Sequence, residues 1–352
     1  MNYQFILKSN YIVVIVAAVN VMTFTLAVRA QRMLFPVDTK IGSGYIDQSG
    51  QVVIPLTFEA AGQFHEGLAP VKIGSKWGFI DETGQIVIQP RFSNARSFSE
   101  GLARVQVNGD SYGLNGMWGF IDHHGNVVIE PSYGELTGVD LLSEGFHDGR
   151  ALIERDYKKG FIDTTGRIVI KPQFKYAYHF TEGLASVCSG RNNKWGFIDR
   201  SGQWVTKAQY DWACPFSDGL APVDIGGVCG YINKDGKMAL RPVKNVGDCS
   251  VIHGHFSEGL SRWKVGEKYG FIDTNGTIVI GPEFDLAEDF ANGLARIAIG
   301  SGWGFVNRTG TIVIPPQFVA ARNFDGGLAR VVTETGVGYI DMTGKYVWKP
   351  GN

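Results

Sequence analysis

A four-residue motif that returns nine times is the strongest constraint on how this chain can fold. It reads Gly-Phe-Ile-Asp or a close variant, and its glycines stand at positions 44, 78, 119, 160, 196, 230, 270, 304 and 338. Four of the eight steps between successive glycines are 34 residues long, and the others are 36 to 41. This regularity predicts a tandem repeat, in which each unit buries its apolar surface against its neighbours.

Each unit carries further elements around the motif, as the second unit shows. A glycine, Gly84, follows Asp81 at the third position, and an apolar triplet, a proline, spaced aromatic residues and Glu-Gly-Leu-Ala come next. We predict three short strands, formed by Leu-Ala-x-Val, Trp-Gly-Phe-Ile-Asp and the apolar triplet. Asp-x-x-Gly is predicted to be a tight turn between the last two strands. The Pro-x-Phe segment is expected to lead into a loop, because proline has no N–H for the ladder.

These units predict an all-β protein of tandem three-stranded meanders. Closed propellers normally have four strands in each blade. Three strands, together with a last unit that is complete through Tyr346-Val347-Trp348, favour an open solenoid-like array with terminal units as caps. A closed β-propeller-like ring is the alternative.

The first thirty residues differ from the rest of the chain. Lys8 precedes an uncharged, mostly apolar stretch over Ser9–Val28, and small residues at Val28 and Ala30 precede Gln31. This layout predicts a secretory signal peptide over residues 1–30, followed by the repeat array over 31–352. The stretch is also long enough to be an uncleaved membrane anchor. Both interpretations place the array outside the cytoplasm, as a periplasmic, secreted or membrane-anchored protein.

Charge and composition restrict the partners of the array. The chain has 33 Lys+Arg and 34 Asp+Glu, without runs of like charge. A nucleic-acid groove or a polybasic membrane patch would show as a basic excess, so neither is expected, and membrane contact is expected only through an uncleaved N-terminal segment. The apolar fraction of 44% indicates a globular chain, and the 47 glycines indicate many tight turns.

The repeat resembles the WG (or KWG) repeat family of bacterial proteins over roughly residues 40–350. The Trp-Gly pair that names the family stands at Trp77-Gly78, Trp118-Gly119, Trp195-Gly196 and Trp303-Gly304. Lys159, Cys229 and Tyr269 replace the tryptophan in other units, and Arg150 replaces the leucine of Gly-Leu-Ala. The resemblance implies a β-repeat fold and no particular reaction.

Residues that recur in every unit are expected to be scaffold, so no catalytic, cofactor or metal site is predicted. The acids of the turns and of Glu-Gly-Leu-Ala have a structural role in this interpretation, because Asn233 and Asn307 replace the turn aspartate. His253-x-His255 near Cys249 offers too few ligands for zinc and is expected in a solvated loop.

Four cysteines follow residue 30, an even number in an oxidising compartment. Cys214 and Cys249 lie in the aromatic loop of adjacent units, and Cys188 and Cys229 flank the turn before the tryptophan position. Disulfides Cys214–Cys249 and Cys188–Cys229 are therefore predicted.

We therefore expect a non-catalytic extracytoplasmic binding or scaffold protein whose partner is an unknown protein or a cell-wall glycan. A glycan-binding surface module is the alternative, and a periplasmic hydrolase is a more distant one. Candidate contacts are the tryptophans outside the repeat's Trp position, namely Trp204, Trp212, Trp263 and Trp348. Insertions near Asn108–Met117, Gly134–Glu144 and Val243–His253 either build the binding face or are neutral variation.

Overall fold

The computed structural model describes residues 33–349, except 110–115, 137–144, 191 and 241–253. These residues belong to one compact unit that begins at Met33. In this part of the chain 34 strands form nine antiparallel sheets, and the described residues contain no helix, as the sequence predicted. No helix that could cross a membrane is therefore found among them.

We number the sheets as blades one to nine in chain order. Blades one to three contain β1 (Leu34–Asp38), β2 (Ser43–Asp47), β3 (Val52–Phe58); β4 (Ala60–Ala61), β5 (Leu68–Ile73), β6 (Lys76–Asp81), β7 (Ile86–Phe92); and β8 (Asn94–Ser99), β9 (Leu102–Val107), β10 (Met117–Ile121), β11 (Val127–Tyr133). Blades four to six contain β12 (Phe146–His147), β13 (Arg150–Arg155), β14 (Lys158–Ile162), β15 (Ile168–Phe174); β16 (Tyr176–Ala177), β17 (Leu184–Cys188), β18 (Trp195–Asp199), β19 (Trp204–Tyr210); and β20 (Trp212–Ala213), β21 (Leu220–Ile225), β22 (Val228–Asn233), β23 (Met238–Leu240). Blades seven to nine contain β24 (Leu260–Val265), β25 (Lys268–Asp273), β26 (Ile278–Phe284); β27 (Leu286–Ala287), β28 (Leu294–Ile299), β29 (Gly302–Asn307), β30 (Ile312–Phe318); and β31 (Ala320–Ala321), β32 (Leu328–Thr333), β33 (Gly336–Asp341), β34 (Tyr346–Trp348).

The three predicted strands are present in every blade, and seven blades add a fourth strand. In blade two the added strand is β4, which pairs with β5 through only two residues. After β4 the chain runs on through His65, which forms an isolated bridge with Leu68. The meander of three strands was therefore an incomplete description, because this additional strand is too short to show an alternating pattern.

A two-residue turn joins the added strand to the Leu-Ala strand. His65 and Leu68 exchange two backbone hydrogen bonds, of 2.9 and 3.1 Å. Both residues between them have positive φ, 53° at Glu66 and 82° at Gly67. This is a type I′ hairpin, which requires positive φ at both central positions.

The Asp-x-x-Gly turn forms as predicted. The Asp81 carboxylate accepts hydrogen bonds from the backbone N–H groups of Thr83 and Gln85, at 2.9 and 3.0 Å. Gly84 has a φ of 85° and donates its N–H to the Asp81 carbonyl. Burial raises the pKa of Asp81, but the Thr83 hydroxyl and these backbone hydrogen bonds outweigh it and hold that pKa below its ordinary value.

The expectation that Pro-x-Phe leaves the ladder was wrong. Strand β7 continues through Pro90 to Phe92, which pairs with Trp77 across a register shift. The proline is tolerated because β7 is an edge strand, where an N–H is not required for the ladder.

The hydrophobic core lies between the blades. Each of nine buried clusters combines residues of two consecutive blades, and the ninth cluster joins blade nine to blade one. That cluster contains Phe35, Val37 and Ile46 of blade one and Leu328 and Tyr339 of blade nine. The array is thus a closed nine-bladed β-propeller, and the predicted open solenoid is wrong.

Candidate binding site at the ring closure

Eight of the nine blade interfaces share one aromatic contact. The aromatic residue of Gly-Phe-Ile-Asp packs against a phenylalanine of the inner segment of the next blade, with ring centroids 4.8 to 5.1 Å apart. The pairs are Tyr45–Phe64, Phe79–Phe98, Phe120–Phe146, Phe161–Phe180, Phe197–Phe216, Tyr231–Phe256, Phe271–Phe290 and Phe305–Phe324. These contacts place the short strands at the centre of the ring, as the innermost strands.

The interface between blades nine and one departs from this pattern. Among the described residues, blade one has no segment on the inner side of β1. Blade seven also has three strands, but Gly254–Ser257 occupies its inner side and Ser257 bridges to Leu260. At the closure Tyr339 instead contacts Phe35, with ring centroids 5.9 Å apart, and its hydroxyl donates to the Pro36 carbonyl oxygen at 2.7 Å.

A cavity of about 330 Å³ lies where the innermost strand of blade one would stand. We call it the closure notch. Its walls come from blades one, two, three and nine, and they include Phe35, Pro36, Asp38, Gln63, Ser97, Arg322, Asn323, Asp325, Arg330 and Tyr339.

Two arginines of blade nine line the closure notch. The guanidinium groups of Arg322 and Arg330 make no hydrogen bond or ion pair with the described residues, whereas the arginines equivalent to Arg330 in the two preceding blades do. Arg262 donates from Nη1 to the carbonyl oxygen of Ala287 at 3.2 Å, and Arg296 donates likewise to Ala321. Both acceptors lie on the innermost strand of the next blade, and the described residues supply no such strand beside Arg330.

Burial raises the pKa of Tyr339 to about 12, and Arg330 acts in the opposite direction. The hydroxyl is therefore protonated at neutral pH and can donate to Pro36. Asp38 accepts a hydrogen bond from the Ser43 hydroxyl at 2.7 Å. The notch thus combines carboxylates, an apolar wall formed by Phe35 and two arginines that have no side-chain partner among the described residues, an arrangement suited to binding.

A second concavity, of about 530 Å³, lies at the same closure near the outer strands. Its apolar lining comes from Ile41, Leu56, Val337 and Trp348, and its polar lining includes Asp38, Thr39 and Lys40. Trp348 is the one tryptophan of the four predicted contacts that lines it. We call this surface the outer closure groove.

The other predicted tryptophans occupy different environments. Trp204 begins the outer strand β19 and is 41% exposed. Trp212 is partly buried against the core between blades five and six. Trp263 is 8% exposed and belongs to the core between blades six and seven, so it is not available as a surface contact in this structure.

The predicted disulfide pairs do not form. Cys188 and Cys214 are buried free thiols, which excludes both Cys214–Cys249 and Cys188–Cys229. Burial raises the pKa of the Cys214 thiol above its usual range, and the nearby Asp289 acts in the same direction. Cys214 is therefore a poor nucleophile at neutral pH. Cys249 lies outside the described residues.

His255 is not in a solvated loop as predicted. It lies half-buried on the inner segment of blade seven, close to Asp289 and Arg262. Burial lowers the pKa of His255 and raises that of Asp289.

The described residues contain no group of three or more side chains placed to hold a metal ion. His253 and most of the three insertions lie outside the described residues.

The repeated acids have the structural contacts expected of scaffold residues. In six blades the residue before Gly-Leu or its equivalent accepts a hydrogen bond from a glycine N–H of the next blade. The pairs are Glu66–Gly101, Glu100–Gly149, Asp148–Gly183, Glu182–Gly219, Asp218–Gly259 and Glu258–Gly293. These carboxylates hold neighbouring blades together.

The residues that build the closure notch were not singled out from the sequence. The available signals are departures from the repeat at the N-terminal end of the array. Phe35 stands where most other units have alanine after leucine, and Met33 stands where they have glycine before it. Arg330 gave no signal, because arginine recurs at its position in Arg104, Arg262 and Arg296.

The fold and this site define a closed nine-bladed β-propeller with an asymmetric seam. The chain belongs to the WG repeat family: the family described as "WG containing repeat" matches residues 44–77, 77–109, 118–158, 160–194, 195–229, 269–301 and 303–334, more than half of the chain. No curated protein matches the sequence significantly.

Solved structures share similarity with this chain. A crystal structure of a eukaryotic initiation factor is similar over 90% of this chain and 95% of its own, with a TM-score of 0.62 and 11% identity, so that this likeness concerns the fold alone. BamB from Moraxella catarrhalis is more weakly similar, over 89% and 97%, with a TM-score of 0.42 and 14% identity.

Proposed function

We propose that this protein is a non-catalytic, extracytoplasmic binding propeller that holds a partner protein at the ring closure. The observation that carries the proposal is the closure notch, the place where a distinctive set of residues interrupts the repeat. A ring of similar blades offers similar surfaces at every interface, so a specific partner requires a surface that differs. The guanidinium groups of Arg322 and Arg330, which pair with no described residue, supply such a surface.

The location outside the cytoplasm rests on the sequence of residues 1–30, which has the layout of a signal peptide or an anchor. The absence of catalysis is proposed because the recurrent acids are used in turns and between blades. In addition, the cysteine near His255 and Asp289 has a raised pKa.

Retention of envelope proteins by immobilised residues 31–352 tests this function. We expect a partner to be retained by the wild-type array and lost from an Arg322→Glu/Arg330→Glu variant. Arg155→Glu is the matched control, because Arg155 is an exposed arginine of blade four, away from the closure. Equal retention by all three proteins would show that the closure is not the binding surface.

A cell-wall glycan is the second candidate partner, and the outer closure groove favours it. Trp348 and the polar residues Asp38 and Thr39 provide there the combination of an aromatic face with hydrogen-bonding groups. Binding to isolated cell-wall glycan should then decrease in Trp348→Ala but not in Trp204→Ala, whose exposed tryptophan lies on blade five. Loss in neither variant would exclude the groove as a glycan site.

A further inference from the structure

We propose that the closure notch accepts an extended segment of the partner protein, which adds to β1 as an innermost strand, an element that the described part of blade one does not contain. This inference rests on the proposed function, since it specifies how the partner binds at the closure. Strand addition to an exposed sheet edge obtains affinity from main-chain hydrogen bonds and specificity from the side chains between them.

The backbone of β1 presents the same edge that other blades use for their innermost strand. In blade two, the carbonyl oxygens of Leu68, Pro70 and Lys72 accept hydrogen bonds from the N–H groups of the inner segment, at 2.8 to 3.0 Å. By the shared register, Leu34, Pro36 and Asp38 are the equivalent residues of β1. Their carbonyl groups therefore face the closure notch, where that of Pro36 already accepts the Tyr339 hydroxyl and keeps a second lone pair for an added strand.

The neighbouring interfaces show what Arg330 would bind. Arg262 and Arg296, at the same repeat position, donate to the carbonyl oxygen of an alanine on the adjacent innermost strand. Arg330 has the same position on β32 but meets the cavity instead. A strand in the notch would supply the carbonyl oxygen that Arg330 lacks.

The sequence before β1 argues against this chain supplying its own strand. In the other eight blades the residue before Leu or its equivalent is glycine, the second residue of the type I′ turn. Blade one has Arg32 and Met33 at the two turn positions. Most other blades accept a carboxylate residue at the first turn position but all have glycine at the second, where Met33 adopts positive φ less readily, so the tight hairpin of the other blades is disfavoured before β1. Cleavage before Gln31 would also remove most of such a strand.

The walls of the notch restrict the side chains of the strand. Phe35 replaces the alanine of other blades, such as Ala103, which pairs with the inner Phe98. Its ring therefore occupies the space that the inner phenylalanine fills elsewhere and packs against Tyr339. The strand must have a small residue opposite Phe35, and acidic neighbours would pair with Arg322 and Arg330.

Two synthetic peptides test this chemistry against residues 31–352. One copies residues 285–292, the inner segment of blade eight with sequence Asp-Leu-Ala-Glu-Asp-Phe-Ala-Asn, and the other carries Phe290→Ala. We expect the alanine peptide to bind the wild-type array more tightly, as measured by fluorescence anisotropy. In Phe35→Ala, which restores the alanine of other blades, the order of the two peptides should reverse.

A second variant keeps the test independent of whether Phe35→Ala folds. Arg330→Gln should weaken binding of the alanine peptide by about tenfold, the effect of losing a hydrogen bond from a charged group, while Arg155→Gln should leave it unchanged. A version of the peptide that is N-methylated at alternate residues should not bind, because it cannot form the ladder.

Absence of peptide binding, equal binding of the N-methylated peptide, or indifference to Arg330→Gln would overturn strand addition. These outcomes are separable from the retention experiment. A partner that is still lost from Arg322→Glu/Arg330→Glu while no peptide binds would keep the closure as the binding surface and reject the strand. Peptide binding without any retained envelope protein would instead reject the proposed partner class.

Discussion

Glutamate at a left-handed backbone position shows how single residues hold the blades together. Glu258 has a φ of 55°, in a turn where asparagine or glycine would be less strained, and its carboxylate accepts the N–H of Gly293 in blade eight at 3.0 and 3.1 Å. The strain is offset by a hydrogen bond that a residue without a side-chain acceptor cannot make. The chain thus uses a left-handed position of the turn to connect two blades.

Replacing Glu258 separates the strain from the hydrogen bond. Glu258→Ala loses the bond and keeps the positive φ, so we expect a loss of about 1 to 2 kcal/mol in the free energy of unfolding. Glu258→Gly also loses the bond but relieves the strain, so its loss should be smaller by about 1 kcal/mol. Urea unfolding measures both, with the exposed Glu283→Ala as the control expected near zero. Equal losses in the two variants would contradict this account of the turn.

His255 should make stability depend on pH. Burial is the largest cause that lowers its pKa, Arg262 and His179 add to the lowering, and Asp289 and the Pro215 carbonyl oppose it. A folded-state pKa below the unfolded value of about 6.5 contributes stability that is present above that value and lost as pH falls through it. We therefore expect the melting temperature to fall between about pH 7.5 and 5.5, and to fall less in His255→Gln. The raised pKa of Asp289 changes stability with pH in the opposite direction. The quantity to compare is therefore the difference in melting temperature between the wild type and His255→Gln at each pH. Parallel pH profiles would show that His255 does not titrate differently on folding.

At the scale of strands, the sequence predicted those elements whose structure depends on neighbouring residues of the same unit. The Leu-Ala, Trp-Gly-Phe-Ile-Asp and apolar-triplet strands and the Asp-x-x-Gly turn are confirmed in the structure. The innermost strand was missed because β4 and most of its equivalents pair through only two residues, and β8 pairs through four that a register shift interrupts, so no periodicity is visible. The path of β7 through Pro90 was missed because an edge position depends on the sheet, which the strand's own residues do not reveal.

The glycine of the Trp-Gly pair is explained by the path of the outer strand. In blade three, β11 crosses β10 with a register shift between Trp118 and Phe120. A Cβ atom on Gly119 would lie 2.4 Å from the Ile129 carbonyl oxygen and 2.7 Å from the Pro131 nitrogen. Glycine is therefore required at this position because the backbone of β11 comes too close for a Cβ atom. The φ of Gly119 is not positive, so backbone conformation is not the reason.

Two glycine substitutions should distinguish close approach from conformational strain. Gly119→Ala must displace the backbone of β11, so we expect a loss of about 3 kcal/mol or a failure to fold. Gly183→Ala places its Cβ in open space but at a φ of 88°, so we expect about 1 to 2 kcal/mol. Thermal and urea unfolding of both variants give the comparison. A milder effect for Gly119→Ala would contradict the close approach of the outer strand.

At the scale of the whole molecule, ring closure could not be predicted from the repeat. The residues of each unit determine its own strands. Whether nine units close into a ring depends on the small rotation between neighbouring units, which no single motif encodes. The residues that close the ring, Phe35 and Tyr339, resemble ordinary core aromatics when taken one at a time. The role of Met33 and Phe35, which depart from the repeat, depends on the contact between blade one and blade nine, which the sequence does not reveal.

The contact between Phe35 and Tyr339 offers a direct test of closure in solution. In an open array these residues would belong to opposite ends of the molecule, and substitutions at the two sites would add independently. In the closed propeller the centroids of their aromatic rings are 5.9 Å apart, and the Tyr339 hydroxyl donates to the Pro36 carbonyl oxygen. A double-mutant cycle of Phe35→Leu and Tyr339→Leu should therefore give a coupling energy of about 0.5 to 1.5 kcal/mol, the range for an aromatic pair. A control cycle of Phe35→Leu with Phe161→Leu, which lies in blade four, should give none. Additive losses in the first cycle would mean that the two ends of the array do not meet in solution, and the closure notch would then not exist.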